Sequence, residues 1–532
     1  MSEALSAPRE PTALMTPLKI LFITPEFAPL AKTGGLGDMT ASLAKALAAA
    51  GHDVRVFLPC YGGTPPPVPL TSSPAVPPVA QWRAFPAPVA VNLAPRHTEF
   101  CRVWESAPAP LQPRVQLLEH HALFGSPEIY GERNDNAYRF GFMTAAALDF
   151  ALQSGWHPDI AHVHDWTAAL APVLLNTTRR ATPLGRAASV LTIHNLRHQG
   201  IETPDIMRYL RLPSWLWSAD NIEDHGRANF LKAGLYHATK ITTVSPTYAR
   251  EILAPEHGCG LDHVLRHRAA DLSGILNGID DAEWNPRADP RLAARLEDDD
   301  DAAAGAAAVS AFKAANKRAL QAELGLEPLA DAPLFTLVAR LQPQKGADLL
   351  ADILPDLLGR ARMQVAVLGT GDHGLEQRLL AIAAANAGKC VVRAAYDDAL
   401  AHRLIAGADF FLMPSRFEPC GLTQMYSMRY GAPPVVRATG GLADTVSPWR
   451  ENGANATAAG ANAPTGIVFP DATGGSLLNA IHEALRLYYE HPADFAALRR
   501  NGMARDFSWH DSAARYAAVY ASAIAARRAG GD

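Results

Sequence analysis

One stretch of the chain, residues 409–431, places a single carboxylate beside the predicted start of a helix. The apolar run 409–413 has the length of a buried strand, and residues 422–430 predict a helix. Glu418 and Cys420 lie in the polar turn between them. Because free N–H groups at a helix start bind anions, the pattern predicts a diphosphate there, with Glu418 beside the sugar it carries. The alternative is an ordinary strand–loop–helix of an α/β domain.

A second group of charged residues follows another predicted strand. Arg340 and Lys345 stand five positions apart, after the apolar run that begins at Leu334. Two cations at the carboxyl end of a strand suit a diphosphate, whereas either one alone is more often a surface charge. Residues 439–444, TGGLAD, form a glycine-rich turn that either closes over the same site or only starts a helix.

Residues 32–38, KTGGLGD, form a glycine-rich stretch after the first predicted strand. Gly34, Gly35 and Gly37 allow positive φ and close approach to the backbone. Lys32 adds a point charge for phosphate. The stretch is neither a GxGxxG dinucleotide fingerprint nor a Walker loop. It predicts a functional turn, with an ordinary glycine turn as the alternative.

Histidines end two more predicted strands. His194 and Asn195 end one of them, and a histidine in that place is as often structural as catalytic. His162, His164 and Asp165 end the other. Their spacing is not HExxH, and the sequence places no third ligand, so no metal site is predicted there.

Together these residues predict a transfer reaction with a negatively charged leaving group. The cations already named and the helix at Leu422 hold the leaving group, while Glu418 and His194 face the transferred group across a cleft. No Ser/His/Asp or Cys/His nucleophile competes with this interpretation. Cys420, close to a helix start, is either a thiol of lowered pKa or a structural or ligand-adjacent residue, and the second is preferred.

Two series of strand–turn–helix units position these residues. The first series has predicted strands at 19–24, 53–58, 159–162, 189–193 and 241–244, and a helix at 39–50. The second has strands that begin at Leu334 and lie at 363–368, 390–393, 409–413 and 434–437, before a helix-rich tail at 476–526. Such units form parallel sheets that bind ligands at the carboxyl ends of their strands. The predicted fold class is α/β, with two Rossmann-like domains facing each other across a cleft.

The composition excludes several classes of protein. The chain has 532 residues, too many for one ordinary core, and 48% hydrophobic with 19% charged residues is typical of a soluble globular protein. A formal net charge of −5 gives no general attraction to nucleic acid or to an anionic membrane. Five scattered cysteines without a CxxC pair, no run long enough for a membrane span and no signal-peptide pattern indicate a reducing cytoplasm.

Three segments are predicted to contribute little to the two sheets. Residues 1–18 form a disordered lead-in, and the proline-rich residues 61–95 form hairpin and loop excursions. Residues 287–332 are rich in Ala and Asp, with a helical pattern at 311–324. The acidic run 297–301 inside this segment is interpreted as a solvated linker in preference to a metal site.

In their order along the chain, these motifs resemble the bacterial glycogen synthases, the ADP-glucose-using relatives of the plant starch synthases. The resemblance covers about residues 19–520 and includes KTGGLGD, HVHDW at 162–166, HN at 194–195, ILNGID, RLQPQKG, PSRFEPCGLTQ and TGGLADTV. It implies the two-domain GT-B fold. The expected boundaries are a first domain at 19–280 on the acceptor side, a second at 281–508 on the nucleotide-sugar side, and a last helix at 509–532 that returns to the first domain.

The resemblance implies a retaining transfer of glucose from ADP-glucose to the 4-OH at the non-reducing end of an α-1,4-glucan, without a cofactor and without a metal for the leaving phosphate. Arg340 and Lys345 are expected to hold the diphosphate and to stabilise its developing charge. Glu418 is expected to bind the glucose hydroxyls. His194 is expected to hold the 6-OH and to lend its carbonyl to the oxocarbenium-like centre.

The resemblance also implies roles for other residues of the cleft. Lys32 and the backbone of Gly35 are expected to reach the diphosphate from the first domain once the cleft closes, and Asn195 to place the sugar or the acceptor. The remaining expectations are that Tyr396 stacks on adenine, Tyr130 lies near the donor sugar, Cys420, Gly421, Leu422 and Thr423 bind ADP-glucose, and Asp38 and Asp165 lie on the acceptor side.

The sequence departs from the family pattern at several positions. The family's HNLAYQG is HNLRHQG here, so Arg197 and His198 replace a small residue and an aromatic one near the acceptor contacts. Ala395 stands where the family has a glycine before the adenine-stacking tyrosine, and Tyr426 where many retaining GT-B enzymes have a second glutamate. An insert at 449–464 predicts a longer surface loop.

Two other functions fit parts of the pattern. A non-catalytic glucan-binding relative predicts losses among Lys32, His194, Arg340, Lys345 and Glu418, and all of these are present. An α-glucan phosphorylase predicts bound pyridoxal phosphate, whose absorbance distinguishes it. The synthase is therefore preferred, with ADP preferred over UDP on the resemblance alone.

Overall fold

The computed structural model describes residues 16–62, 82–94, 97–131, 135–297, 302–450 and 463–530. Parts of four predictions fall on residues outside these ranges: the lead-in at 1–15, most of the proline-rich stretch, the aspartates at 298–301 and the loop at 451–462. Among the described helices, none is both long enough and apolar enough to cross a membrane.

The strands and helices alternate along most of the chain. The strands are β1 (Lys19–Ile23), β2 (Asp53–Pro59), β3 (Trp82–Ala84), β4 (Val89–Ala94), β5 (His97–Ser106), β6 (Arg114–Glu119), β7 (Ile160–His164), β8 (Ala188–Ile193), β9 (Ile201–Glu202), β10 (Glu223–Asp224), β11 (Arg227–Asn229), β12 (Lys240–Thr243), β13 (Leu272–Gly274), β14 (Leu334–Val338), β15 (Gln364–Leu368), β16 (Cys390–Arg393), β17 (Phe410–Met413), β18 (Pro434–Arg437) and β19 (Ile467–Phe469). The helices are α1 (Gly35–Ala49), α2 (His121–Phe124), α3 (Asn136–Gln153), α4 (Asp165–Ala168), α5 (Leu170–Asn176), α6 (Asp205–Tyr209), α7 (Phe230–His237), α8 (Pro246–Glu251), α9 (Asp262–His267), α10 (Ala302–Leu324), α11 (Ala347–Arg360), α12 (His373–Ala385), α13 (Asp398–Gly407), α14 (Thr423–Arg429), α15 (Gly440–Thr445), α16 (Gly474–Glu490), α17 (Pro492–Met503) and α18 (Trp509–Ala529).

The first sheet has the order β13-β12-β8-β7-β1-β2-β6-β5-β3, with β4 paired to β5. From β13 to β6 every pair is parallel, which confirms the strands predicted for the first half. Beyond β6 the pairing is antiparallel. The sequence prediction missed β5 and β6 because no helical pattern separates them and a proline-rich stretch precedes them.

The second sheet is parallel throughout, in the order β16-β15-β14-β17-β18-β19. Its five predicted strands are confirmed, with starts that agree to within one residue. The edge strand β19 was not predicted, because its three residues are too few for a periodic signal. The predicted α/β architecture with two Rossmann-like halves is therefore confirmed.

Each sheet contains one point where the strand order reverses. β1 lies between β7 and β2 in the first sheet, and β14 lies between β15 and β17 in the second. A crevice opens at the carboxyl ends of such strands, because the connections on either side leave in opposite directions. The segments after β1, β7, β14 and β17 carry most of the predicted site residues, so the topology brings these to the two crevices. His194 and Asn195 follow the neighbouring strand β8, and Tyr396 follows β16.

The glycine-rich segment after β1 differs from its prediction. Helix α1 begins at Gly35, four residues before the predicted start at 39, and Gly34 has an extended φ of −165°. Gly34, Gly35 and Gly37 allow positive φ, but none of them adopts it. Gly37 is needed for a different reason, because a Cβ there would lie 3.2 Å from the carbonyl oxygen of Ala31. The close approach of the Ala31 carbonyl therefore explains the glycine at position 37, and a left-handed backbone conformation does not.

The last helix, α18, lies against the first sheet although it follows the second sheet in the chain. It contacts α1 and β8. The Tyr520 hydroxyl lies 2.8 Å from Nδ1 of His162 in the buried interface, and Arg527 donates to Oδ1 of Asn176 at 2.6 Å. The residue boundaries of the domains stay a prediction.

Replacing Tyr520 by phenylalanine is expected to lower the free energy of unfolding by about 1–3 kcal/mol, because a buried imidazole nitrogen loses its partner. His162 is fully buried, and its Nε2 already bonds Thr192 Oγ1 at 2.6 Å. Urea denaturation measures the change. Tyr489→Phe is the control, since that hydroxyl donates to Arg362 at an exposed position and should matter by less than about 0.5 kcal/mol. Equal effects of the two changes would contradict an anchoring role for Tyr520.

Candidate active site

A cavity of about 750 Å³ opens between the carboxyl ends of the two sheets, within the size range of small-ligand sites. We call its sides the first wall and the second wall, after the sheet that supplies each. The structure places every residue predicted for the site on these walls: Lys32, Gly35, Asp38, Tyr130, Asp165, His194, Asn195, Arg340, Lys345, Tyr396, Glu418, Cys420, Gly421, Leu422 and Thr423. The role of each of them stays a proposal.

Glu418 and Lys345 form an ion pair on the second wall. Lys345 Nζ lies 2.6 Å from Glu418 Oε2, and the Ser415 hydroxyl donates to the same oxygen at 3.0 Å. Glu418 is 5% exposed, whereas Arg340 on the same wall is exposed. A buried carboxylate in contact with an ammonium, in a cavity that an exposed guanidinium also lines, suits a ligand that combines hydroxyl and phosphate groups.

Two arginines fix the turn that carries Glu418. Arg416 binds both oxygens of Asp348 at 2.7 Å, which ties the turn to the first turn of α11. Arg437, at the end of β18, donates to the carbonyl oxygen of Ser415 at 2.8 Å and also to that of Arg416. The carboxylate is therefore mounted on a segment that its neighbours hold in place.

On the first wall, Asp165 holds the main chain that carries His194. Its Oδ1 accepts from the N–H of His194 at 2.7 Å and from the N–H of Asn195 at 3.3 Å. Asp165 has a φ of 54°, a left-handed conformation that is uncommon outside glycine. Nε2 of His194 lies 3.1 Å from Nδ1 of His164. Asp165 therefore positions the backbone of His194 and Asn195 as well as lining the cavity.

Burial shifts the pKa values of His194 and Asp165 in opposite directions. It lowers the pKa of His194 to about 3, so the ring is neutral at neutral pH. It raises the pKa of Asp165 to about 7, although the N–H groups of His194 and Asn195 oppose the shift. A neutral imidazole can exchange a hydrogen bond with a hydroxyl, but it carries no cationic charge for a leaving phosphate.

The free energy of unfolding is expected to fall as pH rises from about 4 to about 7 through Asp165. Its pKa is about 7 in the folded protein and 3.8 ordinarily, so the folded state binds more protons between these values. Asp165→Asn removes this titration, and its stability relative to the wild type should rise over the same window. Urea denaturation of both proteins between about pH 4 and pH 8 measures this difference. A difference that stays constant with pH would contradict the raised pKa.

Glu26 was not predicted, although it organises the glycine-rich segment. Its carboxylate accepts from Thr33 N–H at 2.7 Å, Thr33 Oγ1 at 3.0 Å and Gly34 N–H at 3.2 Å. The Tyr130 hydroxyl donates to it at 2.7 Å. A carboxylate directly after β1 and before a glycine run was the signal that could have identified it. Glu26 occupies two backbone donors, which leaves the N–H of Gly35, at the start of α1, for a ligand.

The first wall also carries an ion pair, between Lys32 and Asp38, whose Nζ and Oδ1 atoms are 2.8 Å apart. Burial lowers the pKa of Lys32, but the Asp38 carboxylate outweighs it, so the pKa is raised and the charge is kept. On the second wall the ring of Tyr396 is 78% exposed, which suits stacking on a flat base. The walls come together where Leu422 lies 3.4 Å from the position of a Cβ on Gly35.

Cys420 lies in the turn before α14, and burial raises the pKa of its thiol to about 12. The raised pKa contradicts the alternative of an acidic thiol at a helix start, and the structural or ligand-adjacent interpretation stays a prediction. Helix α14 begins at Thr423, one residue later than predicted, with Leu422 as its N-cap.

Among the described residues, one group has ligand atoms close enough together for a metal ion: Glu283, Asp398 and His402. Arg291 already lies 3.5 Å from Glu283 and 3.3 Å from Asp398. Nδ1 of His402 lies 2.6 Å from Oδ2 of Asp289. We interpret the group as an ion-pair network.

Trp284 is a second residue of the cavity that was not predicted. Its ring stacks between those of His402 at 3.7 Å and Tyr426 at 3.8 Å, with interplanar angles of 8° and 6°. Trp284 and Tyr426 both line the cavity. Tyr426, where many retaining GT-B enzymes have a glutamate, thus belongs to an aromatic stack. A tryptophan in a turn between two predicted domains was the available signal.

The departures from the family pattern at positions 197, 198 and 395 lie at or beside the cavity. The guanidinium of Arg197 lies 4.0 Å over the ring of Phe417, a cation–π contact between the two walls. His198 and Ala395 line the cavity. Burial, together with Arg340 and Arg197, lowers the pKa of His198. The substitution at 197 therefore contributes to contact between the walls.

Sequence comparisons identify relatives over almost the whole chain. The family description "Starch synthase catalytic domain" matches residues 19–267, and "Glycosyl transferases group 1" matches residues 332–485. The chain is 44% identical over 518 residues to the glycogen synthase of Aromatoleum aromaticum, covering 96% of this chain and 98% of the relative. It is 43% identical over 513 residues to that of Anaeromyxobacter sp. strain Fw109-5, covering 96% and 100%.

Solved structures of two other proteins superpose on this chain over almost its whole length. The catalytic domain of starch synthase IV from Arabidopsis thaliana, bound to ADP and acarbose, superposes with a TM-score of 0.84 at 31% identity, covering 96% of this chain and all of that one. A sucrose-phosphate synthase from Thermosynechococcus elongatus superposes with a TM-score of 0.56 at 18% identity, over 95% and 99%, and shares the fold alone. The predicted GT-B fold is confirmed. The chain belongs to the glycogen and starch synthase family.

Proposed function

We propose that the protein is a glycogen synthase, which transfers glucose with retention from ADP-glucose to the 4-OH at the non-reducing end of an α-1,4-glucan and releases ADP. The observation that carries the proposal is the Lys345–Glu418 pair, 2.6 Å apart, in a cavity that Arg340 also lines. The family relatives named glycogen synthase, and a starch synthase bound to ADP and acarbose, support the nucleotide sugar and the glucan.

The second wall holds the leaving group in this mechanism. Arg340 and Lys345 bind the diphosphate and stabilise the charge that develops as the glucosyl bond breaks. Lys32 and the N–H of Gly35 reach the same group from the first wall. Preorganised cations are effective because they need no reorientation as the charge forms.

The two walls together hold the glucosyl unit. Glu418 accepts hydrogen bonds from sugar hydroxyls, and Lys345 fixes its orientation at 2.6 Å. His194, neutral because of its lowered pKa, bonds the 6-OH, and its carbonyl faces the oxocarbenium-like centre. Asp165 supports that carbonyl indirectly, because it holds the N–H groups of His194 and Asn195.

Other positions have supporting roles in the proposal. Tyr396 stacks on adenine, Tyr130 lies near the donor sugar and Asp38 faces the acceptor. The segment from Cys420 to Thr423 contacts ADP-glucose at the start of α14. The reaction as proposed uses no cofactor and no metal, and takes place in the cytoplasm.

The test supplies ADP-glucose or UDP-glucose with a malto-oligosaccharide and measures nucleotide release together with the length of the glucan. We expect turnover with ADP-glucose, a product longer by single glucose units, and a lower kcat/KM with UDP-glucose. The absence of turnover with either donor would overturn the proposed function. The anomeric configuration of the new bond, read by NMR, tests retention separately.

A further inference from the structure

Helix α8 from the first wall and helix α15 from the second wall cap each other across the cleft. Glu251, the last residue of α8, accepts from Thr439 Oγ1 at 3.1 Å and from Gly440 N–H at 3.0 Å, where α15 begins. Asp444 of α15 accepts from Thr247 N–H at 2.8 Å and from Thr247 Oγ1 at 2.7 Å, in the first turn of α8. We call these four hydrogen bonds the clasp.

The clasp supplies a cap that α15 lacks on its own, and adds a second acceptor to α8, whose N-cap Ser245 already accepts from the N–H of Tyr248 at 3.1 Å. Thr439, the N-cap of α15, makes no side-chain cap bond within its helix. Glu251 therefore provides an acceptor that a helix start normally obtains from its own N-cap. Each carboxylate also receives an N–H from the first turn of the opposite helix, where the helix dipole favours negative charge.

Helix α15 supports the turn that carries Glu418. The N–H of Gly441 donates to the carbonyl oxygens of Glu418 at 3.1 Å and Pro419 at 3.2 Å. Gly440 has a φ of 44°, and a Cβ there would clash with the carbonyl oxygen of Glu418. Because α15 is hydrogen-bonded to and packed against the main chain of Glu418, a movement of α15 would move Glu418 as well.

Helix α8 contacts the main chain of both walls. Its N-cap, Ser245, donates to the carbonyl oxygen of Pro419 at 2.7 Å, next to Glu418. The Tyr248 hydroxyl accepts from the N–H of Leu196 at 3.1 Å, two residues after the predicted catalytic histidine. One short helix thus links the segment of the histidine to the segment of the carboxylate.

We propose that the clasp sets the spacing between His194 and Glu418, and that Glu251 and Asp444 are positioning residues for the transfer reaction. The inference rests on the proposed function. Neither residue lines the cavity, so each acts through the segments it holds. Loss of the clasp lets the walls separate without removing a group that touches substrate. ADP binding, most of whose proposed contacts lie on the second wall, is then largely preserved, while chemistry that needs both walls slows.

The test replaces Glu251 by alanine and measures turnover and ADP affinity separately. We expect kcat to fall at least about tenfold, since small displacements of reacting groups are costly, while the calorimetric Kd for ADP stays within about twofold. Glu251→Gln keeps an acceptor oxygen for Thr439 and Gly440 and should recover most of kcat. Glu256→Ala, at an exposed carboxylate near the end of α8, is the matched control and should behave as the wild type.

Two further measurements separate positioning from general damage. Asp444→Ala should reproduce the loss in kcat, and the double variant should lose little more than either single variant, because the clasp acts as a unit. Small-angle scattering of the unliganded protein should show a larger radius of gyration for Glu251→Ala. An unchanged kcat in both single variants, or a parallel loss of ADP affinity, would overturn the inference. If the wild type fails to use ADP-glucose, the proposed function fails, and scattering still tests the clasp.

Discussion

Replacing Glu418 by alanine is expected to lower kcat for ADP-glucose by about a hundredfold to a thousandfold, or about 3–4 kcal/mol. Glu418 as a whole residue is 5% exposed, and its carboxylate is held by Lys345 at 2.6 Å and by Ser415 at 3.0 Å. Arg416 and Arg437 fix the turn beneath it. A group this well positioned acts on the geometry of the sugar, so its removal lowers the rate of the chemical step.

The same change should leave ADP binding intact or make it tighter. Lys345 loses the carboxylate that neutralises it and becomes freer to attract a diphosphate. Steady-state kinetics and ADP calorimetry measure the two effects separately. A rise in KM with kcat unchanged would contradict the placement of Glu418 beside the transferred sugar.

Two variants control for size and for charge. Glu418→Gln keeps the shape and one acceptor oxygen, so its kcat should lie between those of the wild type and the alanine variant. Glu323→Ala breaks another ion pair, with Arg403 at 2.8 Å, on the exposed surface. Its kcat should equal that of the wild type, because a surface pair is worth little and lies outside the cavity.

The sequence was sufficient to predict ten of the parallel strands of the two sheets and fifteen of the residues that line the cavity. The reason is physical: the motifs stand at the carboxyl ends of parallel strands, and such ends meet at one edge of a sheet. The positions of Arg340, Lys345 and Glu418 follow from this rule, although their separation in the chain is large. The resemblance to a family then supplied roles that spacing alone leaves open.

What the sequence did not provide is which side chains bond to one another. Lys345 and Glu418 are 73 residues apart, and Thr439 and Glu251 are 188 apart, so no local pattern links them. Glu26 was missed for a related reason, because its partners depend on how the glycine-rich segment folds back. Propensity and periodicity describe elements, whereas these bonds depend on the tertiary arrangement.

The start of helix α14 shows the same limit of prediction from sequence. The predicted diphosphate site combined the free N–H groups at the helix start near residue 422 with the cations Arg340 and Lys345, and did not pair Lys345 with Glu418. In the structure α14 has seven residues, and an ion pair stands beside it on the wall of the cavity. The helix start is one contributor among several, and the Lys345–Glu418 pair is the more specific feature.

Replacing Lys345 by alanine is expected to lower kcat/KM for ADP-glucose by about 2–4 kcal/mol, or roughly thirtyfold to a thousandfold, and to destabilise the fold as well. The side chain of Glu418 is 7% exposed, while that of Lys345 is 20% exposed. Without the ammonium, Glu418 keeps only Ser415 as a side-chain partner within the described residues. Leaving a buried charge unpaired should reduce the free energy of unfolding by about 1–3 kcal/mol.

Glu418→Ala should be less destabilising than Lys345→Ala, because a lysine that has lost its partner can extend its ammonium into water. Urea denaturation of Lys345→Ala and Glu418→Ala measures this asymmetry. Arg340→Ala is the matched comparison on the same wall: the residue is exposed, so its loss should lower kcat/KM and leave stability unchanged. Equal stability of the Lys345 and Glu418 variants would contradict the burial of the carboxylate.

The double variant Lys345→Ala/Glu418→Ala separates the two effects of the lysine. Removing the stranded carboxylate should restore much of the stability lost in Lys345→Ala, because the unpaired buried charge is gone. Activity should stay as low as in the worse single variant, since both the cation for the diphosphate and the carboxylate for the sugar are missing. If activity returned together with stability, the effect of Lys345 would be structural and its assignment to the diphosphate would be wrong.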